Sequence, residues 1–344
     1  MRFPEFSGEW VETELQDIVP NICSGKDRIS NSGEVALYGS TGVIGRTNSA
    51  SYKENIVLVA RVGANAGQMQ IGNAPCGVTD NTLVIDAKEW NYYIYYFLQH
   101  YNLNRLVFGS GQPLITGGML KRIKVRYGCK AERNNITRLL CLIDERIATQ
   151  NKIIEALKLL RDAISGLIFN SMKNEKTILL GNVACISNGS GDVQDSDSIK
   201  RDGWYPFFDR SEEQKWFPTY SFNREAIIYA GEGQNFFPRY YKGKFALHQR
   251  CYAITDFCEC LLPKYCLYFM NTLNSYFIRN AVGSTVPSLR MDMFQKAKIK
   301  IPTIERQQEI VSTLDALSLK CENEEIVRAL YNTQKSYLLQ QLFI

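Results

Sequence analysis

The chain contains an internal repeat, and this feature limits the possible folds more than any other. The segment 109–113 (GSGQP) has a counterpart in 283–287 (GSTVP), which begins 174 residues further on. The same offset continues without a gap toward the end of each copy, where it matches Leu140 with Leu314 and Phe169 with Phe343. Because a fixed internal offset is the signature of repeated structural units, we expect two tandem copies of one unit.

The back half of each copy has the pattern of one long amphipathic helix. Residues 131–169 contain no proline and only one glycine, Gly166. Their apolar side chains recur mostly at intervals of three or four, as in a heptad seam. The predicted seam residues are Ile136, Leu140, Ile143, Ile147, Ile154, Leu157 and Ile164 in the first copy, and Ile310, Leu314, Leu317, Tyr331 and Leu338 in the second. At about 1.5 Å per residue, such a helix is a rod of about 57 Å.

One such rod cannot bury its apolar stripe alone. Two rods at matching positions of one chain are therefore expected to pack against each other as an antiparallel coiled coil, with a pseudo-twofold relation between the copies. Polar residues that interrupt the seam, such as Arg161 and Lys335, would help to fix its register. Self-association between chains is the alternative.

The front half of each copy is expected to be rich in β-strands. Short apolar runs such as 56–60 and 226–230 lie between clusters of Gly, Asn, Ser and Pro. A helix rich in Tyr, Phe and Leu is predicted to follow in each copy, over 90–98 and 262–273.

The front halves match each other only loosely. Residues 15–18 resemble 180–183 at an offset of 165, and residues 56–63 align with 224–231 at an offset of 168. The loops between the strands therefore differ in length between the copies. The predicted fold class is α+β, with a first β-rich domain over 1–129, a first long helix over 130–172, a second β-rich domain over 173–303 and a second long helix over 304–344.

Composition places few limits on the function. A net charge of +5 and a pI of about 8.6 are a mild basic excess, compatible with a polyanionic partner. We see no apolar run of membrane-spanning length and no signal segment, so no membrane association and a cytoplasmic location are expected. The ten cysteines are then expected to be reduced thiols. The densest group, Cys251, Cys258, Cys260 and Cys266, lacks the paired spacing of a zinc site, and we expect small buried side chains there and no metal.

Catalytic motifs are missing from the sequence. His100 and His248 are the only histidines, which leaves few candidates for acid–base chemistry. The glycine-rich strings 39–45 and 63–67 lack the lysine of a phosphate-binding loop and are better explained by tight turns. No catalytic residue is therefore predicted.

The predicted loops carry side chains that can read bases. Arginine pairs with guanine, and asparagine and glutamine pair with adenine, in the major groove of DNA. The candidates near turns are Arg46, Arg61, Asn65, Gln68, Asn81 and Gln112 in the first copy, and Arg210, Gln234, Asn235, Arg239, Gln249, Arg250 and Arg290 in the second. Two β-rich domains with different polar loops, held by a rigid spacer, are suited to reading two different half-sites on double-stranded DNA.

The whole chain resembles the specificity subunits of type I restriction–modification enzymes. The resemblance is carried by 2–6 (RFPEF), 38–45 (YGSTGVIG), 59–65 (VARVGAN), 78–82 (VTDNT) and 301–310 (IPTIERQQEI). The first copy departs from the family pattern before its long helix, where Tyr127-Gly128-Cys129 replaces the usual proline.

The resemblance implies two target-recognition domains that read a bipartite, asymmetric DNA site. It also implies that two methyltransferase subunits dock on the long helices, with two restriction subunits in the cleaving complex. S-adenosylmethionine, ATP and Mg²⁺ would bind those partners, and no cofactor is expected on this chain. A stand-alone DNA-modifying enzyme and a coiled-coil scaffold that binds only protein are the alternatives.

Overall fold

The computed structural model describes residues 2–19, 21–106, 113–283 and 285–343. The chain divides into two compact units, and each unit combines one β-rich half with a stretch of both long helices. The first unit is Met1–Lys152 with Glu325–Ile344, and the second is Ile153–Glu324. The domain boundaries inferred from the sequence follow the repeat and stay a prediction.

The described residues of the first unit form nine strands. They are β1 (Val11–Glu14), β2 (Ile22–Ser24), β3 (Val35–Gly39), β4 (Gly42–Thr47), β5 (Ile56–Ala60), β6 (Met69–Gly72), β7 (Cys76–Val78), β8 (Thr82–Ile85) and β9 (Lys124–Tyr127). A four-stranded sheet has the order β2-β8-β5-β6, a three-stranded sheet has the order β4-β3-β7, and β1 pairs with β9. All five residues of β5 are buried, as expected for a continuous apolar run in a central strand.

Helices cover one side of the four-stranded sheet. They are α1 (Leu15–Ile18), α2 (Asn91–Tyr101), α3 (Gly117–Lys121) and the start of α4 (Lys130–Ser171). Ile94 and Leu98 of α2 share a buried core with Val57 and Val59 of β5. The helix predicted over 90–98 is therefore present and extends three residues further.

The strands of the second unit are β10 (Lys176–Leu179), β11 (Cys185–Asn188), β12 (Tyr205–Phe208), β13 (Lys215–Phe217), β14 (Phe222–Ala230), β15 (Arg239–Leu247), β16 (Cys251–Thr255) and β17 (Lys298–Ile301). Six of them form one larger sheet with the order β11-β16-β14-β15-β12-β13, and β10 pairs with β17. The helices are α5 (Pro263–Asn271), α6 (Asn274–Asn280), α7 (Met291–Gln295) and α8 (Ile304–Leu342), the last of which continues into the first unit.

Hydrogen bonds confirm the offset of 174 in the back halves. The Tyr93 hydroxyl donates to the carbonyl oxygen of Arg126 over 2.7 Å. The Tyr265 hydroxyl makes the same bond, also 2.7 Å, to the carbonyl of Lys300. The two acceptors are 174 residues apart in the sequence.

The alignment of the front strands was wrong by two residues. The backbone N–H of Gly63 donates to the carbonyl of Pro113 over 3.0 Å, and the N–H of Gly233 donates to Pro287 over 3.1 Å. Gly63 therefore corresponds to Gly233, and not to Gly231 as the side-chain pattern implied. Backbone pairing sets strand register, whereas the sequence alignment matched one glycine with another.

The two long helices run antiparallel within the first unit. Lys335 Nζ lies 2.7 Å from Asp144 Oδ1, and Arg328 Nη1 lies 3.4 Å from Asn151 Oδ1. Seven residues forward along α4 thus correspond to seven residues backward along α8. At about 1.5 Å per residue, the 42-residue α4 is about 63 Å long.

None of the predicted seam residues is exposed. Six are buried, namely Ile136, Leu140, Ile143, Ile154, Ile310 and Leu314, and Ile147, Leu157, Ile164, Leu317, Tyr331 and Leu338 are half-buried. Near the helix starts the stripe packs on the β-rich half as well as on the other helix. Leu140 shares its core with Ile94 of α2 and with Leu342 of α8.

A polar cluster joins the two helices to α2 in the first unit. The Tyr96 hydroxyl donates to Asp144 Oδ2 over 2.8 Å, and Lys335 Nζ bonds the other oxygen of the same carboxylate. Burial raises the pKa of the Tyr96 hydroxyl, with Cys141 and Asp144 adding to the shift, so the tyrosine stays neutral and acts as the donor.

Replacing Lys335 with methionine is expected to lower the free energy of unfolding by about 1–3 kcal/mol, because it leaves Asp144 half-buried without its cation. Urea denaturation of the purified chain measures the loss. Lys130→Met is the matched control, since Lys130 pairs with Glu89 and both side chains are more than half exposed, so its loss should be far smaller. Equal losses for the two variants would contradict a role for the buried cluster.

Two cysteines differ from the expectation of reduced thiols. Cys258 and Cys260 lie in a turn after β16, where their Cα atoms are 5.3 Å apart and their sulfur atoms are bonded. A strand would have placed these side chains on one face without joining them, whereas a turn brings them within disulfide reach. Cys251 and Cys266 are buried, as expected.

The described residues contain neither a membrane-spanning helix nor a metal-binding cluster. No helix among them is long and apolar enough to cross a bilayer. In the same part of the chain, no group of three or more His, Cys, Asp or Glu side chains is placed to hold a metal ion.

Candidate nucleic-acid interface

The second unit has a polar groove of about 560 Å³ where several strands end. The loops after β12, β14 and β15 meet there, and they bring both charges and hydrogen-bonding side chains to one place. The groove is lined by Val193, Asp209, Arg210, Ser211, Lys215, Gly231, Glu232, His248, Gln249, Arg250 and Cys251.

The first unit has a groove of about 490 Å³, formed by the loop after β2 and the loop after β7. Its lining residues are Gly25, Lys26, Asp27, Arg28, Ile29, Thr79 and Asp80. Asp27 is part of the framework, because its Oδ2 accepts from the N–H of Val78 over 2.8 Å and its Oδ1 accepts from Ser51.

The two grooves occupy equivalent places in the repeat. In the first unit the N–H of Thr79 donates to the carbonyl oxygen of Tyr38 over 3.0 Å. In the second, the N–H of His248 donates to the carbonyl oxygen of Phe208 over 2.9 Å. Thr79 therefore aligns with His248, and the next residue, Asp80, aligns with Gln249.

A second pair of bonds aligns the loop after β2 with the loop after β11. The N–H of Gly25 donates to the carbonyl oxygen of Thr82 over 3.0 Å, and the N–H of Gly189 donates to the carbonyl oxygen of Cys251 over 3.3 Å. A Cβ on Gly25 would collide with the carbonyl oxygen of Val78, and one on Gly189 with that of Leu247. Glycine is required at both positions because the loop lies directly against a strand.

Three of the predicted residues in the second copy line its groove, namely Arg210, Gln249 and Arg250. All three are exposed. Arg250 Nη1 lies 2.7 Å from Glu232 Oε1, and its side chain remains 66% exposed, so water screens this ion pair.

Arg239 has a different environment. It is half-buried on β15, where Nη1 donates to the carbonyl of Ser211 over 2.9 Å and Nη2 donates to that of Asp209. Burial lowers the pKa of its guanidinium. These bonds brace the loop that carries Arg210 into the groove.

The remaining predicted residues of the second copy lie outside the groove. Gln234 and Asn235 are exposed in the loop after Gly233, where Asn235 Oδ1 accepts from Asn274 over 3.2 Å. Arg290 is exposed directly before α7.

In the first copy, two predicted residues adjoin the groove. Asn81 is exposed directly after Asp80, and its backbone oxygen accepts from Ser40 Oγ over 3.1 Å and from the N–H of Arg61 over 3.0 Å. Arg61 is half-buried, with Nη1 3.3 Å from Ser24 Oγ, which holds its guanidinium against the loop after β2.

Three other predicted residues, Arg46, Asn65 and Gln68, are described and neither line nor adjoin the groove. Arg46 is exposed on β4 and bonds the carbonyl of Glu34 over 2.9 Å. Asn65 and Gln68 belong to one turn, in which the N–H of Gln68 donates to the carbonyl of Asn65 over 2.9 Å. Gln112 lies outside the described residues.

Sequence reasoning missed several groove residues. In the first unit these are Lys26 and Arg28, and in the second they are Lys215 and His248. Matching Gly25 with Gly189 would have drawn attention to the first two, since both lie within three residues after Gly25. Lys215 Nζ bonds the buried Asp209 over 2.7 Å, and no local sequence pattern predicts this pairing.

Comparisons with known proteins agree with this architecture. The model of the family "Type I restriction modification DNA specificity domain" matches twice, over residues 7–159 and 172–329. A crystal structure of the S subunit of a type I restriction–modification system from M. genitalium covers 98% of this chain and 96% of its own, with a TM-score of 0.69 at 15% identity. A second structure, from a study of assembly and conformational transition of a type I R-M system, has a TM-score of 0.54 at 12% identity and covers 97% of each chain. At these identities both structures support the fold alone.

One curated relative is the specificity subunit of the type I restriction enzyme EcoDI from Escherichia coli. It is 32% identical over 149 residues, which are 43% of this chain and only 32% of that protein. The chain thus matches about a third of the length of this relative. The family assignment rests on the two family-model matches, which together span most of the sequence and fall one on each copy of the repeat. The chain therefore belongs to the family of type I restriction modification DNA specificity domains.

Proposed function

We propose that this chain is the DNA-reading specificity subunit of a type I restriction–modification enzyme. In this role each groove reads one half of a bipartite, asymmetric site, and the chain performs no chemistry itself. The observation that carries the proposal is the pair of equivalent grooves, one in each copy of the repeat, with different side chains.

The differences between the grooves are of the kind that changes base preference. Asp80 in the first groove corresponds to Gln249 in the second, and Arg210 lines the second groove only. Carboxylates accept from cytosine, glutamine pairs with adenine and arginine pairs with guanine. Two grooves that differ in this way would read two different half-sites.

Cations beside these groups suit the phosphate backbone. Lys26 and Arg28 line the first groove, and Arg210 and Arg250 line the second. Phosphate contacts would set the position of the protein on the duplex, while the base contacts select the sequence. Binding should therefore weaken steeply as salt concentration rises.

The long helices would have two roles. As continuous rods they would fix the length of the unread spacer between the half-sites. Their outward faces carry exposed leucines, including Leu159 at 66%, Leu167 at 73% and Leu319 at 57% exposure in the second unit. Apolar side chains in such number on helix surfaces are typical of docking sites, and two methyltransferase subunits are the proposed occupants.

The partners would supply the chemistry. S-adenosylmethionine would bind the methyltransferase subunits, and ATP and Mg²⁺ would serve two restriction subunits in the cleaving complex. This role places the chain in the cytoplasm with the DNA.

The test is a helix-length series on the complex with methyltransferase subunits. Four-residue and seven-residue insertions are made in the middle of α4, with matching insertions in α8. The expected result is a changed spacer with both half-sites unchanged. Altered base preference would contradict the ruler role, and a complex without salt-dependent affinity for DNA would favour a protein-only scaffold.

A further inference from the structure

Three exposed apolar side chains lie on or against the β3–β4 hairpin of the first unit. Ile29, Val43 and Ile44 are 62%, 57% and 46% exposed. The Ile44 side chain lies over Gly39, whose ideal Cβ would be 2.9 Å from it. The Ile29 side chain lies 3.5 Å from the equivalent point on Gly45. Gly45 pairs with Leu37, two residues before Gly39 on β3, so Ile29 and Ile44 share one face of the hairpin, named here the hairpin patch. Val43 pairs with Tyr38 and belongs to the other face.

The fold does not require apolar residues at these hairpin positions. The β3–β4 ladder pairs Leu37 with Gly45, and the β12–β13 ladder pairs Phe207 with Lys215. Counting back from Gly45 and Lys215, Val43 and Ile44 correspond to the pair 213–214, Glu and Gln, which are both exposed. The same hairpin therefore forms in the second unit with polar residues at its tip.

The hairpin patch is continuous with the first groove. Ile29 lines that groove together with Lys26 and Arg28, and exposed Arg46 follows Ile44 by two residues on β4. Basic side chains beside an apolar surface fit a duplex, where phosphates flank the base edges. Among the groups that the base pairs present in the major groove, the apolar one is the C5-methyl of thymine.

We propose that Ile29 and Ile44 of the hairpin patch determine specificity in the first half-site by packing against thymine methyl groups. The inference rests on the proposed DNA-reading function and assigns part of it to these side chains. The second unit, with Gln214 at the place of Ile44, would not read thymine by the same contact.

The experiment uses the complex with methyltransferase subunits and its mapped DNA site. Each thymine of the half-site read by the first unit is replaced in turn by uracil, which lacks the methyl group. Affinity is expected to fall about fourfold at one or more positions, the effect of losing one buried methyl-sized group. For Ile29→Gln combined with Ile44→Gln, thymine and uracil DNA should bind equally. Val11→Thr is the control, because Val11 is 52% exposed on β1 and should keep the discrimination.

The outcomes separate this inference from the proposed function. Intact half-site specificity with no uracil effect at any position overturns the inference and leaves the proposed function standing. Absence of any half-site preference, with unmodified DNA, contradicts the proposed function itself. If the hairpin variant, but not the control, fails to bind methyltransferase subunits in the absence of DNA, the patch is a protein interface. That result would also overturn the inference.

Discussion

Replacing Leu314 with alanine is expected to lower the free energy of unfolding by about 2–5 kcal/mol. Leu314 is fully buried in the core of the second unit, where it packs with Phe169 of α4 and Phe269 of α5. Truncation would leave a cavity at the place where both helices meet the β-rich half. Because a domain is stabilised by only about 5–15 kcal/mol, the second unit should be close to unfolding.

Urea denaturation followed by circular dichroism measures this loss. Leu319→Ala is the control, because Leu319 lies five residues further along α8 and is 57% exposed. It should change stability by less than about 0.5 kcal/mol. In the first unit, the fully buried Leu140 and the 49% exposed Leu142 form the same comparison. Similar losses within either pair would contradict the described orientation of the helices.

Replacing Leu159 and Leu167 together with aspartate is expected to reduce affinity for methyltransferase subunits by at least about 100-fold. Burying one leucine side chain contributes about 1.5–3 kcal/mol, and each aspartate would add the cost of burying a charge at the interface. Both residues are exposed on α4 in the free chain, so the variant should fold normally. Sedimentation or calorimetric titration of the chain with methyltransferase subunits measures the effect.

Ile199→Asp is the matched control for this variant. Ile199 is 71% exposed in a loop of the same unit, away from the long helices. It should leave subunit binding unchanged. If the helix variant binds methyltransferase subunits normally while remaining folded, the exposed leucines are not the docking surface.

The sequence predicted the back halves well because their signals are strong and local. A helix without proline and with a recurring apolar stripe has few alternative structures, and the unbroken offset of 174 aligned it in both copies. The structure begins α4 at Lys130 and α8 at Ile304, which preserves that offset.

The start of the first long helix shows what the sequence could not predict. This copy lacks the proline of the family pattern, and long-range side-chain contacts hold the helix start instead. Glu132 is fully buried and bonds Arg2 over 2.6 and 2.8 Å, which lowers the pKa of the glutamate, and Arg133 lies 3.3 Å from the Trp90 ring centroid. The partners are 130 and 43 residues away in the sequence, so no local pattern reveals them.

The second helix uses a different set of bonds at the equivalent position. Gln307 is buried, donates to the carbonyl of Cys260 over 2.9 Å and accepts from the N–H of Leu262 over 2.9 Å. The same structural requirement is thus met by an ion pair and a stacked arginine in one copy and by an amide in the other. Side-chain identity diverged while the position of the helix start was kept.

The grooves were harder to predict than the helices because they are assembled from separate loops. Lys26 and Thr79 belong to one groove although 53 residues separate them. Only the strand pairing of the folded chain brings such residues together. Loop composition identified Gln249 and Arg250 but could not show that Lys215 and His248 lie beside them.

The most direct test of the central claim is a genome-wide map of methylated adenines in cells with and without this chain. We expect a bipartite, asymmetric motif that disappears when the chain is absent. Gln249→Ala should relax the bases of one half-site, and Asp80→Ala should relax those of the other, with the spacer unchanged in both variants. A methylation pattern that does not depend on the chain, or variants that both alter the same half-site, would contradict the account.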